Sequence, residues 1–112
     1  MRSKKHYLQN KEIARDIILE SLKYFCDFYG VKYCKLAIRN QKTKWGSCSK
    51  SGNLNFNYIV AFLPKEQRDY IIAHEVCHLT EFNHSKRFWD MVGKTVPNYK
   101  SIRKEIKSIR IY

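Results

Sequence analysis

The chain has 112 residues, of which 44% are hydrophobic and 14% aromatic, so it is long enough for one folded domain and too apolar to be a disordered segment. Its formal net charge of +12 permits contact with nucleic acid or another acidic partner, although the basic residues are spread along the chain. The sequence has neither an apolar run of membrane-spanning length nor a secretory signal. We therefore expect a cytoplasmic protein that does not contact a membrane, with a single domain over residues 1–112 that begins with a flexible basic arm at residues 1–10.

The four cysteines do not form a Cys-x-x-Cys pair, the spacing typical of cysteine-rich zinc sites: Cys26, Cys34, Cys48 and Cys77. A disulfide framework is the alternative use of an even number of cysteines, but a cytoplasmic chain of this size does not need one. We expect reduced thiols, most of them buried.

The first half of the chain contains one predicted helix and three predicted strands. Residues 11–29 have apolar side chains at helical spacing, and Gly30 provides the C-terminal stop. Residues 31–39 alternate as a strand does, and residues 44–57 form a hairpin closed by a Ser-Lys-Ser-Gly turn. The second arm of the hairpin places apolar side chains inward and asparagines outward, namely Leu54 and Phe56 against Asn53, Asn55 and Asn57.

The second half of the chain is predicted to be helical. A helix over residues 65–82 is apolar on most sides, which predicts that it lies at the buried centre of the fold. Another helix begins at Ser85, a favourable N-cap, and runs to about Lys94. Pro97 precedes a last helix with isoleucines on one face, at Ile102, Ile106 and Ile109. This order of elements predicts the α+β class with a three-stranded antiparallel sheet.

The most informative motif is His74-Glu75-Val76-Cys77-His78, within the buried helix. Residues four apart share a helix face, so the imidazoles of His74 and His78 can reach one metal ion. Glu75 lies roughly 100° around the helix, beside the ion, where a general base can take a proton from water. Because the surrounding residues are apolar, two surface histidines explain the motif poorly: buried imidazoles and a buried carboxylate are costly unless something binds or pairs with them.

A hydrolytic zinc site needs three protein ligands and leaves a fourth position open. His84 is the predicted third ligand, because it follows the expected helix end and a turn of the chain can bring it back over the other two. Glu81 is a weaker alternative ligand, since it lies a turn further along the helix from the metal. The remaining histidine, His6, is assigned no role.

Further motifs accompany the histidines, in chain order Arg39, Lys44-Trp45-Gly46-Ser47-Cys48, Leu63-Pro64, residues 69–79, Asn83-His84-Ser85, Phe88-Trp89 and Pro97. Together they resemble the YgjP-like metallopeptidases, metal-dependent hydrolases related to the SprT and Spartan proteases, over about residues 39–99. The resemblance implies zinc bound by His74, His78 and His84, with Glu75 as catalytic base. It also implies a zincin-like fold, in which a short antiparallel sheet lies over the active-site helix between an N-terminal helix and two C-terminal helices. The chain would correspond to the C-terminal catalytic part of family members.

In the resulting hypothesis Glu75 accepts a proton from the attacking water and later passes it to the leaving amine. The sequence does not identify the residue that donates a hydrogen bond to the oxyanion; the candidates are Tyr70, Tyr99 and Arg39. An extended substrate would add to a sheet edge, for which we predict the polar face of residues 53–57. The Trp-Gly-Ser-Cys segment at residues 45–48 either shapes the cleft or packs in the core around a bulge.

Three functions are compatible with these residues. The first is a zinc-dependent metallopeptidase that acts on peptides or proteins. The second, suggested by the SprT and Spartan relatives, is a DNA-associated protease held on nucleic acid by its basic charge. The third is a non-catalytic basic binding module with a structural zinc, which would need a fourth protein ligand. Cys77 is the nearest thiol, but it points about 80° away from the bisector of the two helical histidines.

Overall fold

The computed structural model describes residues 3–109, which form four α-helices, a short 3-10 helix and a three-stranded sheet. In chain order the elements are α1 (Lys4–Tyr29), β1 (Lys35–Arg39), β2 (Gly46–Cys48), β3 (Asn53–Asn57), the 3-10 helix (Tyr58–Phe62), α2 (Lys65–Cys77), α3 (Lys86–Thr95) and α4 (Tyr99–Lys107). This order confirms the α+β class, and the sequence pattern did not predict the 3-10 helix. None of the described helices is both long and apolar enough to cross a membrane.

Helix α1 begins earlier than predicted because Ser3 caps it. The Ser3 hydroxyl accepts a hydrogen bond from the His6 N–H (3.1 Å). One turn further along, the Tyr7 hydroxyl donates to the Ile38 carbonyl (2.7 Å) and ties the helix to β1. Residues 4–10 therefore continue the helix instead of forming the predicted flexible arm, while the first two residues lie outside the described part of the chain.

The sheet is mixed rather than antiparallel. Its strand order is β1-β3-β2, in which β3 pairs with β2 antiparallel and with β1 parallel. The predicted hairpin is confirmed, but the expectation of a wholly antiparallel sheet is wrong, because β3 enters between the two strands that precede it. Alternation along a strand fixes which side chains face the core and leaves the choice of neighbouring strand open. Accordingly Leu54 and Phe56 are buried as predicted, and Asn53 and Asn55 are partly exposed.

The last asparagine of β3, Asn57, is wholly buried instead of facing outward. Its Nδ2 donates to the carbonyls of Gln41 (2.7 Å) and Lys44 (3.2 Å), and its Oδ1 accepts from the Ile59 N–H (3.4 Å). The amide thus satisfies backbone groups of the loop before β2 and of the 3-10 helix. These bonds explain why a polar side chain is tolerated in the core.

Because β3 is the central strand, its backbone pairs on both sides and offers no free edge. The predicted substrate edge at residues 53–57 is therefore wrong. The free edge beside the antiparallel pair belongs to β2, which contacts α2.

Helix α2 lies at the centre of the fold and contacts α1, α3, α4, β2 and the 3-10 helix. Its buried residues are Tyr70, Ile71, Ile72, Ala73, Glu75, Val76 and Cys77. It ends at Cys77 rather than at the predicted residue 82. The N–H groups of residues 79 and 80 bond to carbonyls three residues earlier, which tightens the last turn and ends the helix. The following residues can then fold back across the end of α2.

Local signals set several of the other helix boundaries as predicted. Gly30 ends α1 in the left-handed conformation, with a φ of 65°. Ser85 caps α3, where its hydroxyl accepts from the Phe88 N–H (3.4 Å). On α4, the isoleucine stripe is buried at Ile102 and Ile106.

Gly46 in β2 has no room for a side chain. A methyl group there would lie 3.0 Å from both the Asn55 carbonyl oxygen and a ring carbon of Phe56, and 3.3 Å from Glu75 Cγ. We predict that Gly46→Ala lowers the free energy of unfolding by about 1–3 kcal/mol, because the backbone of β3 cannot retreat without disturbing the sheet. Urea denaturation of the variant and the wild type measures the difference.

Gly93→Ala in α3 is the matched control. The nearest atoms to a methyl group at Gly93 belong to the Tyr99 ring, at 3.5 and 3.8 Å, which is ordinary van der Waals contact. This variant should keep or raise the stability, by up to about 1 kcal/mol, since alanine favours a helix interior. A Gly46→Ala protein as stable as the wild type would contradict the close approach of β2 to β3 and α2.

Candidate active site

The three histidines of the sequence motifs meet at the C-terminal end of α2. His74 lies in the last turn of this helix, His78 caps it, and His84 approaches from the loop before α3. One ring nitrogen from each histidine lies within 4.8 Å of the other two, and among residues 3–109 these histidines form the one cluster of three or more metal-binding side chains. Nitrogen ligands lie about 2.0–2.1 Å from zinc, so two of them are at most about 4.2 Å apart. The histidine cluster therefore needs only small shifts of the rings to surround such an ion.

A hydrogen bond orients His78 within the histidine cluster. Its Nδ1 donates to the Glu81 carbonyl (2.9 Å), since a carbonyl oxygen can only accept. The bond leaves Nε2 of His78 free to act as a ligand, and this atom lies 3.0 Å from Nε2 of His84. Histidines that bind metals in proteins are commonly held in this way through the other ring nitrogen.

Two aromatic residues of α3 pack under the histidine cluster. The Phe88 ring stacks on His78, with ring centres 4.3 Å apart and planes inclined by 21°. The Trp89 ring lies nearly parallel to His84, with ring centres 5.8 Å apart and planes inclined by 24°. Trp89 also stacks on Tyr99 of α4, at 5.0 Å and 13°. His84 lies in an exposed loop, so these ring contacts are what hold it against the end of α2.

The carboxylate of Glu75 is buried beside the histidine cluster. Glu75 is only 7% exposed, and its Oε2 lies 3.0 Å from Nδ1 of His74. Gly46 of β2 covers its side chain, which is therefore held between the strand and α2. A carboxylate in this position can act as a general base toward a water molecule at the cluster.

A cleft of about 310 Å³ opens beside His74 and Glu75. Its other lining residues come from β2 and the loop before it, from α2 and from α4: Lys44, Trp45, Gly46, Tyr70, Ile71, Arg103, Ile106 and Lys107. Of the two roles predicted for Trp45, the structure shows both: its side chain lines the cleft and also packs, partly buried, against the core. The cleft is large enough for the side chains of a few substrate residues and leads directly to the buried carboxylate.

The electrostatic environment keeps two of the imidazoles uncharged. Burial lowers the pKa of His78 and, with the nearby charge of His74, outweighs the opposite effect of the hydrogen bond to Glu81. His84 is more exposed, but the partial loss of solvent around its ring still lowers its pKa, and His74 and His78 add to the shift. Since an ordinary histidine has a pKa of about 6.5, both rings are neutral at neutral pH. The neutral ring is the form that binds a metal.

Comparison with known families and structures agrees with this geometry. Residues 2–109 match the family model of the YgjP-like metallopeptidase domain. The chain belongs to this family. Membership confirms the resemblance predicted from the sequence motifs and makes the protein a metal-dependent hydrolase that acts on peptide or protein substrates.

Two crystal structures are similar to this YgjP-like domain. The metallopeptidase zymogen of Pyrococcus abyssi abylysin is 29% identical over 80% of this chain and 90% of that chain, with a TM-score of 0.71. The metallopeptidase zymogen of Methanocaldococcus jannaschii jannalysin is 25% identical over 83% of this chain and 92% of that chain, with a TM-score of 0.64. No curated protein sequence matches the chain significantly. The two structural matches support both the fold class and the metallopeptidase function.

In this YgjP-like domain the alternative ligands lie outside the histidine cluster. Cys77 is a free thiol buried in the core, where burial raises its pKa to about 11, and its sulfur does not belong to the group of metal-binding atoms formed by the histidines. The Glu81 carboxylate pairs instead with Arg87, at 3.7 Å. His6 is remote from the site in the fold: its Nδ1 lies 2.7 Å from the Tyr58 hydroxyl and links α1 to the 3-10 helix.

Of the three predicted oxyanion donors, Tyr70 alone lines the cleft. Its ring centre lies 5.8 Å from that of His74. Burial raises the pKa of Tyr70 to about 12, so the phenol keeps its proton and can donate a hydrogen bond. Tyr99 stacks on Trp89 instead, and Arg39 donates to an asparagine of β3.

Sequence reasoning did not assign a role in the site to Phe88, Trp89 or the basic residues of the cleft. A signal for the aromatic pair was present, because Ser85 starts a helix whose first turns must lie beside the loop that carries His84. No comparable signal existed for Arg103 and Lys107, which are distant in sequence from the histidines and reach the cleft only through the packing of α4 against α2.

The lowered pKa of His78 predicts how the metal-free protein responds to acid. Below about pH 6.5 an unfolded chain protonates this histidine, whereas the folded chain takes up the proton only at lower pH. The unfolded state then binds more protons, so the free energy of unfolding falls as the pH is lowered through this window. Urea denaturation at about pH 7.5 and about pH 5.5 measures the loss.

His78→Asn provides the comparison for this measurement. The asparagine amide can still donate to the Glu81 carbonyl but does not titrate. The variant should lose less stability than the wild type between the two pH values. An equal loss in both proteins would show that His78 does not carry the lowered pKa.

Proposed function

We propose that this metallopeptidase is a zinc enzyme in which His74, His78 and His84 hold the ion and Glu75 is the general base. The observation that carries the proposal is the meeting of three imidazoles beside a buried carboxylate, at the end of a cleft that a peptide can enter. The donor set suits zinc, which takes three imidazoles in hydrolytic sites and keeps a fourth position for water or substrate. Structural zinc sites are normally closed by a fourth protein ligand. The cluster of described residues supplies three, which favours the catalytic reading.

In the mechanism that follows, the residues of the chain bind the substrate and move protons. When bound, zinc supplies the Lewis acid that activates a water molecule and polarises the substrate carbonyl. Glu75 removes a proton from the attacking water and, after attack, delivers it to the leaving amine. Its burial between α2 and β2 keeps the carboxylate in one position for both transfers. We assign Tyr70 as the hydrogen-bond donor to the oxyanion, because it is protonated and lines the same cleft.

The substrate backbone is proposed to extend along the free edge of β2. The Asn57 N–H donates to the Trp45 carbonyl (2.8 Å), at one end of β2. Because paired and unpaired positions alternate along an antiparallel ladder, the backbone groups of Gly46 and Cys48 point away from β3. Gly46 also lines the cleft. A peptide that adds to this edge through backbone hydrogen bonds would pass directly in front of Glu75.

Glu75→Gln tests the role of the general base. The amide keeps the size of the side chain but cannot accept the proton, so hydrolysis of an unfolded protein such as casein should fall by about 10²–10⁴-fold. The zinc content, measured by mass spectrometry on the same sample, should stay at that of the wild type. Retained hydrolysis in a zinc-loaded Glu75→Gln protein would refute the assignment.

Glu81→Gln is the matched control, because it makes the same chemical change at a nearby carboxylate that faces Arg87 instead of the histidine cluster. This variant should keep both its zinc and its activity. His84→Ala, in contrast, should lose zinc together with activity. A Glu81→Gln protein that loses zinc would point to the alternative ligand considered from the sequence.

Cytoplasmic location and association with DNA stay predictions from the sequence. The net charge of +12 supports the second of them. Binding to double-stranded DNA that lacks a steep decline with added salt would count against a protease held there by its charge.

A further inference from the structure

Three cations line the cleft. Arg103 and Lys107 lie four residues apart on α4, so they face the same side of that helix. Lys44, in the loop before β2, lines the cleft with them. The carboxylate of Glu75 is the one acidic group that lines the cleft, and it is committed to the histidine cluster. These three lining residues, called here the basic wall, therefore give the cleft an excess of positive charge.

None of the three cations of the basic wall is paired with a carboxylate within residues 3–109. The structure does pair other lysines with an aspartate one helical turn away, as in Lys65–Asp69 (2.6 Å) and Lys86–Asp90 (3.0 Å). On α4 itself, Glu105 bonds to Gln67 instead of to a basic residue of the same helix (3.2 Å). The positive charge at the cleft is thus available to a ligand.

Arg103 is held in place and acts on the site. Its guanidinium lies over the Trp89 ring, 5.3 Å from the ring centre, and Trp89 is fixed between α3 and α4 by stacking on Tyr99. Arg103 lines the same cleft as Tyr70 and Glu75, so its charge acts directly at the site. A guanidinium at this position presents donors suited to a carboxylate.

We propose that the basic wall binds a carboxylate of the peptide substrate close to the bond that is cut, with Arg103 as its main contact. The inference rests on the proposed peptidase function and adds the substrate class. Two sources can supply the carboxylate: an aspartate or glutamate side chain next to the cleaved bond, or the C-terminus of the peptide. The first makes the enzyme an endopeptidase that prefers acidic residues, and the second makes it a carboxypeptidase.

Three matched peptides test the proposal. The first has a glutamate at the centre and an amidated C-terminus, the second has glutamine in its place, and the third is the glutamine peptide with a free C-terminus placed near the cleaved bond. We expect the zinc-loaded wild type to favour one of the two carboxylate peptides over the neutral one by roughly tenfold or more in kcat/KM. The favoured peptide identifies the source.

Arg103→Gln should bring this ratio close to one. Lys104→Gln is the matched control, since it removes the same charge from the neighbouring position of α4, which does not line the cleft. It should leave the ratio at the wild-type value. A wild type with no preference, or an equal fall of the ratio in both variants, would overturn the proposal, the latter because it would indicate general attraction by the charge of the whole protein.

A binding measurement separates this proposal from the proposed function. Trp45 and Trp89 both lie at the site, so tryptophan fluorescence of the Glu75→Gln protein should report a carboxylate peptide binding roughly tenfold more tightly than the neutral peptide. A wild type that hydrolyses no peptide, although the difference in binding is seen and is lost on adding Arg103→Gln, would show that the proposed peptidase function is wrong. The proposed carboxylate binding by the basic wall would in that case be supported. If a single-stranded oligonucleotide displaces the peptide at concentrations below the dissociation constant of the peptide, the basic wall binds nucleic acid and the proposal is wrong.

Discussion

Three imidazoles must meet at one point although only two of them belong to the same helix. His74 and His78 meet because helical spacing stacks them on one face of α2, a local property of the chain. His84 has no such support, since it lies in an exposed loop. The Phe88 and Trp89 rings, which follow it on α3, pack under the cluster and hold the third imidazole in place. The early end of α2 and the Ser85 cap of α3 are the two backbone features that make this return possible.

The parts of the site that local chemistry determines could be predicted from the sequence. Three features each depend on a few neighbouring residues: the spacing of the histidines in the helix, the Gly30 stop and the Ser85 cap. The structure has all three where the sequence predicts them. The end of α2 could not be predicted, because residues 78–82 contain neither the glycine nor the proline that would mark a helix end in the sequence. The predicted sheet was wrong for a similar reason, because alternation indicates which side chains of β3 share a face but not which strands lie beside it. Neither the parallel pairing with β1 nor the burial of Asn57 could therefore be predicted.

The cleft combines segments that are far apart in the chain. Trp45 comes from the sheet, Tyr70 from α2 and Arg103 from α4, and no motif joins them. The charge of the chain is spread evenly in the sequence, but the fold brings three cations, unpaired within residues 3–109, to the same cleft as the Glu75 carboxylate. Gly46 helps to position Glu75, because the absence of a side chain at this residue lets β2 approach Glu75 closely. The residues proposed for substrate contact and for catalysis therefore line one cleft between β2, α2 and α4.

X-ray absorption spectroscopy of the protein loaded with one equivalent of zinc tests the central claim most directly. Three histidines and an open position predict a first shell of nitrogen and oxygen at about 2.0–2.1 Å, with scattering from three imidazole rings. His84→Ala should reduce the count to two rings, or leave the protein without zinc. A sulfur ligand at about 2.3 Å, or a wild-type shell with only two imidazoles, would contradict the site described here.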